Sequence, residues 1–287
     1  TEPTEQNYQH FALKEDGLAV YFEKYQIFPG YFGIQSVTIP YDSLSGHLNI
    51  DLSNAVLEAV QTTALPKGEL TEPPTATIDK QKPMVALTFD DGPHYTVTPR
   101  ILDILQKNNA RATFFVLGNR VDNFPNIIQR EYSQGHEIGS HSFSHPQITT
   151  LTSEEIEYQF TETEHRIQQY VPYTTKLIRP PYGQITQSLK EVLQKTFVLW
   201  SIDTQDWKTR DKDAIVSEVL NNVKDGDIIL MHDMYSTTAD ACEELIPALI
   251  ERGYQLVTVS ELLNAKEITP VAGSVYSRVL STGNAAS

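Results

Sequence analysis

The sequence contains a single cysteine, Cys242, among its 287 residues. One thiol excludes an intramolecular disulfide, and it excludes a metal cluster held by several thiolates. Long apolar runs are also absent, since no stretch reaches the roughly 20 residues that a membrane-spanning helix needs. No basic and apolar leader opens the sequence. Because the sequence starts at Thr1 rather than at Met, we interpret it as a mature or trimmed fragment whose membrane anchor, where one exists, lies outside it.

Positive charge is scarce as well. The chain has 22 Lys and Arg against 37 Asp and Glu, which gives a formal net charge of -15. This balance argues against nucleic acid and anionic lipid surfaces as partners, because both attract basic proteins. The apolar fraction of 40% is sufficient for a hydrophobic core. The composition therefore indicates an acidic globular protein, and it leaves the oligomeric state open.

The first part of the chain has a different pattern from the rest. We predict a small β-rich (α+β) N-terminal module over residues 1–65, with strands at Phe11–Lys14, Leu18–Phe22 and Gln35–Ile39. Asp16-Gly17 is a hairpin signal between the first two strands. Residues 66–83 are rich in Pro, Thr and charged side chains, which predicts a linker or a surface-bound connection.

Over residues 84–265, short apolar strands alternate with helical patterns. The strand candidates are Val85–Phe89, Ala112–Val116, Glu137–Gly139, Lys176–Ile178, Phe197–Ile202, Asp227–Met231 and Gln255–Val259. A capping box from Thr152 to Glu155 and an N-cap candidate at Thr98 indicate where helices begin. We predict an α/β fold, a distorted (β/α) barrel of about seven strands, because about 180 residues are too few for an eightfold barrel. The tail over 266–287 is expected to fray.

Five polar clusters follow five of these predicted strands. They are Thr88–Pro93 (TFDDGP), His141–His145 (HSFSH), Arg179–Gly183 (RPPYG), Asp203–Trp207 (DTQDW) and Leu230–Asp233 (LMHD). In a (β/α) barrel the carboxyl ends of the strands converge on one face, where active sites form. The convergence of the clusters therefore predicts an active site more strongly than any single cluster does.

The first two clusters suit a divalent metal. Neighbouring side chains on an extended chain point apart, so one of Asp90 and Asp91 can bind a metal while the other faces a substrate. His141 and His145 share a face if their segment is helical, and paired imidazoles at this spacing commonly hold a divalent metal. Two histidines and one carboxylate leave coordination positions open for water and substrate. We interpret His136, five residues before His141, as structural.

The remaining clusters offer groups for proton transfer and charge stabilisation. Arg179 can orient a carboxylate, and the proline-stiffened loop after it can present a backbone N–H to an oxyanion. His232 at a strand end can donate a proton near neutral pH, and a buried Asp206 would raise its pKa. Trp207 and Leu230 can line a small apolar pocket beside that histidine.

Taken in chain order, the five motifs resemble those of the NodB-homology polysaccharide deacetylases, carbohydrate esterase family 4. The resemblance covers residues 82–263. Residues 18–30 and 37–44 resemble, more weakly, part of a small domain that precedes this catalytic domain in some bacterial cell-wall deacetylases. The resemblance implies a distorted (β/α) barrel and one divalent metal, zinc first, with cobalt or another ion as the alternatives.

The resemblance also implies roles for the metal-side residues. Asp91, His141 and His145 resemble the metal ligands of the family. Asp90 resembles the general base that takes a proton from water, and Arg179 resembles the residue that orients this base.

Roles on the substrate side follow from the same resemblance. The backbone N–H of Tyr182 resembles the oxyanion donor. His232 resembles the general acid, with Asp206 as the partner that tunes it. Trp207 and Leu230 resemble the walls of the pocket for the acetyl methyl group, so that with Tyr182 they form the expected substrate contacts.

The function implied is removal of N-acetyl groups from N-acetylglucosamine residues of a cell-wall polysaccharide, peptidoglycan first. Alternatives on the same scaffold are a secondary cell-wall polysaccharide or its linkage unit, a chitooligosaccharide, or O-acetylated xylan. A different class of function is carbohydrate binding without catalysis, which an assay for released acetate would distinguish. We expect an extracytoplasmic protein, wall-associated or secreted, that meets a membrane only through an anchor absent from this chain.

Overall fold

The computed structural model describes residues 11–13, 17–22, 35–40, 70, 73–74 and 77–280. Contacts between Cα atoms divide the chain into two compact units, residues 1–61 and 62–287. Among the described residues, none of the helices combines the length and the apolar character that crossing a bilayer requires.

Three antiparallel strands are described in the first unit. They are β1 (Phe11–Leu13), β2 (Gly17–Phe22) and β3 (Gln35–Pro40), and β2 pairs with both neighbours. Each strand ends within one residue of its predicted limits. The boundaries of the N-terminal module, residues 1–65, stay a prediction.

A parallel sheet forms the centre of the second unit. Its strands are β4 (Met84–Asp90), β5 (Thr113–Val116), β6 (Glu137–Ser140), β7 (Leu177–Ile178), β8 (Thr196–Val198), β9 (Ile202–Asp203), β10 (Ile228–His232), β11 (Gln255–Leu256) and β12 (Val275–Tyr276). The spatial order is β12-β8-β7-β6-β5-β4-β10-β9, and β11 pairs with the start of β4. This curled parallel sheet with its helices confirms the predicted distorted (β/α) barrel, although nine strands are described rather than seven.

Helices follow most of these strands. They are α1 (Val97–Lys107), α2 (Gly118–Val121), α3 (Pro125–Ser133), α4 (Ser153–Tyr170), α5 (Gln187–Leu193), α6 (Asp206–Thr209), α7 (Lys212–Asn222), α8 (Ser236–Glu251) and α9 (Val259–Ala265), with short 3₁₀ turns at Ile148–Thr150 and Pro181–Gly183. The capping box that starts α4 is confirmed, since Thr152 and Glu155 each accept the other's backbone N–H. Helix α1 begins at Val97, so Thr98 lies in its first turn and is not its N-cap.

The two central strands carry the core and fix the position of the site. Every residue of β4 is buried, as are the first four of β10, because both faces of a parallel sheet are covered. The two strands pair in parallel register, which sets His232 beside Asp90 at their carboxyl ends. Packing of the core thus brings the first and last polar clusters together.

The segment predicted as one strand over Phe197–Ile202 is two strands, β8 and β9, with a break between them. The carbonyls of Val198 and Leu199 accept from Arg179 Nε and Nη2 at 3.2 and 2.9 Å. After this contact the chain no longer pairs with the neighbours of β8, and β9 pairs with β10. The prediction of a single strand was wrong because the guanidinium of Arg179, which follows β7, binds these carbonyls.

The last predicted strand, Gln255–Val259, is also shorter than expected. Strand β11 ends at Leu256, and Thr258 becomes the N-cap of α9. The Thr258 hydroxyl accepts from Glu261 N at 3.2 Å, and the Glu261 carboxylate accepts from Thr258 N at 2.9 Å. This capping box ends the extended segment.

The tail was expected to fray over 266–287, and this is wrong for its described part, which ends at residue 280. Strand β12 pairs with β8, and Val279 is fully buried. Arg278 donates to the buried carboxylate of Asp227, and Val279 N donates to Gly226 O at 2.8 Å. The small polar composition concealed these anchors, which lie far away in the sequence.

Gly226→Ala is expected to destabilise the protein, because Gly226 has a φ of 88° and a Cβ there would lie 1.9 Å from Val279 O. The matched control is Gly253→Ala, which has the same φ of 88° but nothing within 4 Å. The backbone strain that both share costs about 1–2 kcal/mol. The clash adds about 1–3 kcal/mol at Gly226. Urea denaturation measures the difference, and equal losses of unfolding free energy would contradict the anchoring of the tail.

Candidate active site

The loop after β4 separates the two carboxylates of the first cluster. Asp90 is buried at the strand end, whereas 25% of the Asp91 side chain is exposed. Asp91 has a φ of 73°, a left-handed conformation that turns the chain sharply. Asp90 Oδ1 accepts from Arg179 Nη1 at 2.8 Å, so the two carboxylates have different environments.

The two histidines of the second cluster come together, but not on a helix. His141 directly follows β6, and its N–H donates to Val116 O at 2.9 Å. Positive φ values at Ser142 (73°) and His145 (58°) then fold the segment back on itself. The imidazole rings lie 5.1 Å apart between centroids. The predicted pairing is observed, while the helical reason for it was wrong.

Asp91, His141 and His145 bring three possible ligand atoms into one place. Asp91 Oδ1 lies 3.6 Å from His141 Nε2 and 3.6 Å from His145 Nε2. Ligand atoms about 2.0–2.2 Å from one tetrahedral cation lie roughly 3.3–3.6 Å apart. Asp91 Oδ1 is buried without a hydrogen-bond partner, as an oxygen reserved for a cation would be. The three residues therefore fit a divalent metal.

The charge and tautomer of these residues also suit metal binding. Burial alone would raise the pKa of Asp91, but the positive charges of His141, His145, His232 and Arg120 together outweigh burial and lower this pKa. His141 Nδ1 lies 2.6 Å from the Arg179 carbonyl, which can only accept. Nδ1 must therefore carry a proton, so that in the neutral imidazole the lone pair lies on Nε2, the atom on the Asp91 side.

Arg179 is fully buried and joins several strands. Its Nη1 donates both to Asp90 Oδ1 and to Thr88 Oγ1, the latter at 2.7 Å. Its Cζ lies 4.2 Å from the centroid of the Phe115 ring. Burial lowers the pKa of Arg179 and Asp90 opposes that effect, and the guanidinium keeps its charge at neutral pH. Arg179 thus pairs with Asp90, the carboxylate that it was expected to orient.

His232 is held by a buried carboxylate. Its Nδ1 lies 2.8 Å from Asp206 Oδ1, and its backbone N–H donates to Asp206 Oδ2 at 2.7 Å. Thr238 Oγ1 donates to the same Oδ2 at 2.7 Å. Burial disfavours the imidazolium, but the hydrogen bond and charge of Asp206, aided by Asp91 and Asp90, raise the pKa of His232 to about 9.

Tyr182, Trp207 and Leu230 occupy different surroundings. Tyr182 has a φ of 60° in its 3₁₀ turn, is 62% exposed, and packs its ring edge-on against His145. Trp207 lies in the first turn of α6 and is 49% exposed, whereas Leu230 is buried in β10. The roles expected for them as oxyanion donor and pocket walls stay predictions.

His136 lies at the other end of β6, away from the converging clusters. Its Nδ1 accepts from Ala112 N at 3.2 Å, and its ring packs edge-on against Phe114. Burial lowers the pKa of His136 to about 3, with Arg111 adding to the effect, so the ring is neutral. These contacts agree with the structural interpretation.

A functional side chain that the sequence did not indicate is Gln159 on α4. Its Oε1 accepts from Phe143 N and Ser144 N, both at 2.9 Å. Its Nε2 donates to Ser144 Oγ at 3.1 Å. Gln159 thus holds the turn between the two histidines from a helix that follows them, and no local signal in the sequence points to it.

Comparison with known proteins identifies the family. The model of the polysaccharide deacetylase family matches residues 77–198. A peptidoglycan-N-acetylglucosamine deacetylase of Bacillus cereus is 39% identical over 193 residues, which cover 65% of this chain and 70% of that protein. The chain belongs to the polysaccharide deacetylase family.

Other members of the polysaccharide deacetylase family extend the similarity. The peptidoglycan-N-acetylmuramic acid deacetylase PdaC of Bacillus subtilis is 41% identical over 269 residues, 93% of this chain and 58% of PdaC. A solved structure of PdaC matches with a TM-score of 0.65 and 45% identity, covering 66% of this chain and 94% of that one. The peptidoglycan-N-acetylglucosamine deacetylase PgdA of Listeria monocytogenes is 38% identical over 212 residues.

The chain spans about half the length of these curated relatives, 58% of PdaC and 45% of PgdA. Its first 42 residues match a separate family model described as a protein of unknown function, DUF3298.

Gln159→Leu is expected to weaken binding of Co²⁺ by about 10-fold, because the turn that carries His145 loses the hydrogen bonds that Gln159 makes to Phe143 and Ser144. The matched control is Gln168→Leu on the same helix, whose amide donates to Glu164 and Thr174 at 3.3 and 3.4 Å. Titration followed by the visible absorption of Co²⁺ measures both affinities. Equal affinities for the two variants would contradict the role of Gln159.

Proposed function

We propose that this chain hydrolyses the acetamide of N-acetylated amino sugars in peptidoglycan. The observation that carries the proposal is the convergence of Asp91, His141 and His145 beside Asp90 and His232. Amide hydrolysis needs a metal site with open coordination positions, a carboxylate as base and a protonated imidazole as acid. These five residues offer all three. We propose zinc as the ion, with cobalt or another divalent ion as the alternative.

A divalent cation held by these three ligands supplies Lewis acidity toward the acetyl carbonyl and toward water. Asp90 accepts the proton of the attacking water. Arg179 holds Asp90 Oδ1, while Asp90 Oδ2 faces the ligand cluster, 3.7 Å from His141 Nε2. The Arg179 hydrogen bond thereby selects which carboxylate oxygen acts as the base.

The other residues act on the departing and surrounding groups. His232 protonates the leaving amine, and Asp206 keeps its imidazolium oriented and charged. The Tyr182 N–H donates to the oxyanion that develops from the carbonyl. Trp207 and Leu230 enclose the acetyl methyl group.

Two sugars of peptidoglycan carry the acetamide. N-acetylglucosamine is our first proposal, and N-acetylmuramic acid is the second, because the relative that aligns with 93% of this chain has that activity in its name. A secondary wall polysaccharide, chitooligosaccharide and O-acetylated xylan complete the substrate panel. We further propose that the protein works outside the cytoplasm, wall-associated or secreted, and that residues 1–65 form a separate module joined by residues 66–83 to the catalytic region.

The test of the substrate is mass spectrometry of muramidase-digested peptidoglycan before and after treatment. A loss of about 42 Da per event, with fragment ions that place it on one sugar, is expected for deacetylation. Acetate assays on chitooligosaccharide and acetylated xylan run in parallel. Absence of acetate release from every member of the panel would support carbohydrate binding without catalysis and contradict the proposal.

Asp90→Asn and His232→Ala are each expected to lower kcat by about 10²–10⁴-fold, since each removes a proton-transfer group. Both variants should keep their bound metal, whereas Asp91→Ala should lose it. Acetate release and metal analysis on the same preparations measure both properties. Turnover like that of the unaltered protein in either of the first two variants would contradict the assignment.

Asp206→Asn is expected to shift the pH dependence of kcat toward lower pH. The protonated form of His232 is the active acid, so activity falls as pH rises through its pKa. The variant removes the carboxylate that raises this pKa and leaves burial, which lowers it. A pH–rate profile measures the alkaline limb, and an unchanged limb would contradict the role of Asp206.

A further inference from the structure

Asp233 directly follows His232, and the chemistry described above does not use it. The residue has no exposed surface, and its Oδ1 is buried without a hydrogen-bond partner. Burying a carboxylate is unfavourable unless nearby groups compensate for the lost hydration. Its immediate contacts therefore indicate what the residue does.

Thr98, in the first turn of α1, is one of these contacts. Its Oγ1 donates to Asp233 Oδ2 and lies 3.5 Å from the Asp233 carbonyl oxygen. The same Oγ1 accepts from His94 N at 2.7 Å. Thr98 thus ties the Asp233 carboxylate to the backbone of the loop that carries Asp91.

Gly92 is the second contact. A Cβ built on Gly92 would lie 2.2 Å from Asp233 Oδ2 and 2.4 Å from Oδ1, so the carboxylate rests directly on the Gly92 backbone. Any larger residue at 92 would displace either the carboxylate or the loop. Because Gly92 follows Asp91, the Asp233 side chain supports the loop next to the ligand.

We propose that Asp233 and Thr98 are positioning residues that hold the Asp91–His94 loop, and so place Asp91 opposite His141 and His145. The Asp233 carboxylate, directly after β10, contacts the loop at Gly92. The Thr98 hydroxyl connects this carboxylate to the backbone of His94. The proposal rests on the proposed function only in taking Asp91 as a metal ligand. Residues that support metal ligands in this way typically change metal affinity by about 10–100-fold when replaced.

The chain offers a matched control at the opposite end of the sheet. Thr113, at the start of β5, is fully buried like Thr98. Its Oγ1 donates to Glu137 Oε2 at 3.1 Å and accepts from Val259 N at 3.0 Å. The Thr113–Glu137 pair therefore repeats the hydroxyl–carboxylate–backbone arrangement without touching the site loop.

The experiment compares Thr98→Val and Asp233→Asn with Thr113→Val and Glu137→Gln in the full chain. Co²⁺ affinity is measured by absorbance titration against a competing chelator, and thermal unfolding is measured without metal. We expect about 10–100-fold weaker Co²⁺ binding in the first pair and less than about twofold change in the controls. The double variant of Thr98 and Asp233 should lose no more affinity than the weaker-binding single variant, because the two residues act as one unit.

Thr98→Ser keeps the hydroxyl, and it should restore the affinity that Thr98→Val loses. Equal Co²⁺ affinities in the site and control variants would overturn the proposal. Losses of Co²⁺ affinity that follow the decrease in unfolding temperature in both pairs of variants would also overturn it. Acetate release by the unaltered protein is assayed separately. Normal Co²⁺ binding without acetate release would overturn the proposed function and leave the positioning role intact.

Discussion

The buried Arg179 is the contact on which the site depends. Its guanidinium binds the Asp90 carboxylate, Thr88 and the carbonyls of Val198 and Leu199 at the end of β8, while its own carbonyl fixes the tautomer of His141. One side chain thus orients Asp90, the base that we propose, and the backbone of the same residue orients His141, a metal ligand that we propose. Breaking one of these contacts would leave a buried charge without its partner, which costs free energy. The contacts therefore hold Arg179 and Asp90 in one arrangement.

Strained backbone surrounds this centre. Asp91, His145 and Tyr182 all adopt positive φ, which costs roughly 1–3 kcal/mol for each non-glycine residue. Side chains from neighbouring helices and Asp233, which follows β10, hold the turns at His145 and Asp91. Gln159 supports the histidine turn, and Thr98 with Asp233 supports the aspartate loop. The scaffold therefore stabilises an arrangement of ligands that the local sequence alone disfavours.

Much of this could be predicted from the sequence, because parallel strands must carry their polar carboxyl ends to one face. The strands with continuous apolar character, such as β4 and β10, were predicted nearly to their ends. The prediction failed where distant groups decide the outcome. Arg179 breaks the segment at 197–202, and Asp227 with Gly226 orders the tail around Val279. The support from Gln159 was equally hidden, since it comes from one glutamine among several on a long helix.

Asp91, His141 and His145 are proposed to share one cation. Anomalous diffraction can locate that cation. Crystals grown with zinc would be measured above and below the zinc absorption edge. We expect one strong anomalous peak about 2.0–2.2 Å from Asp91 Oδ1, His141 Nε2 and His145 Nε2. A difference map without a peak among these three atoms, at saturating zinc, would contradict it.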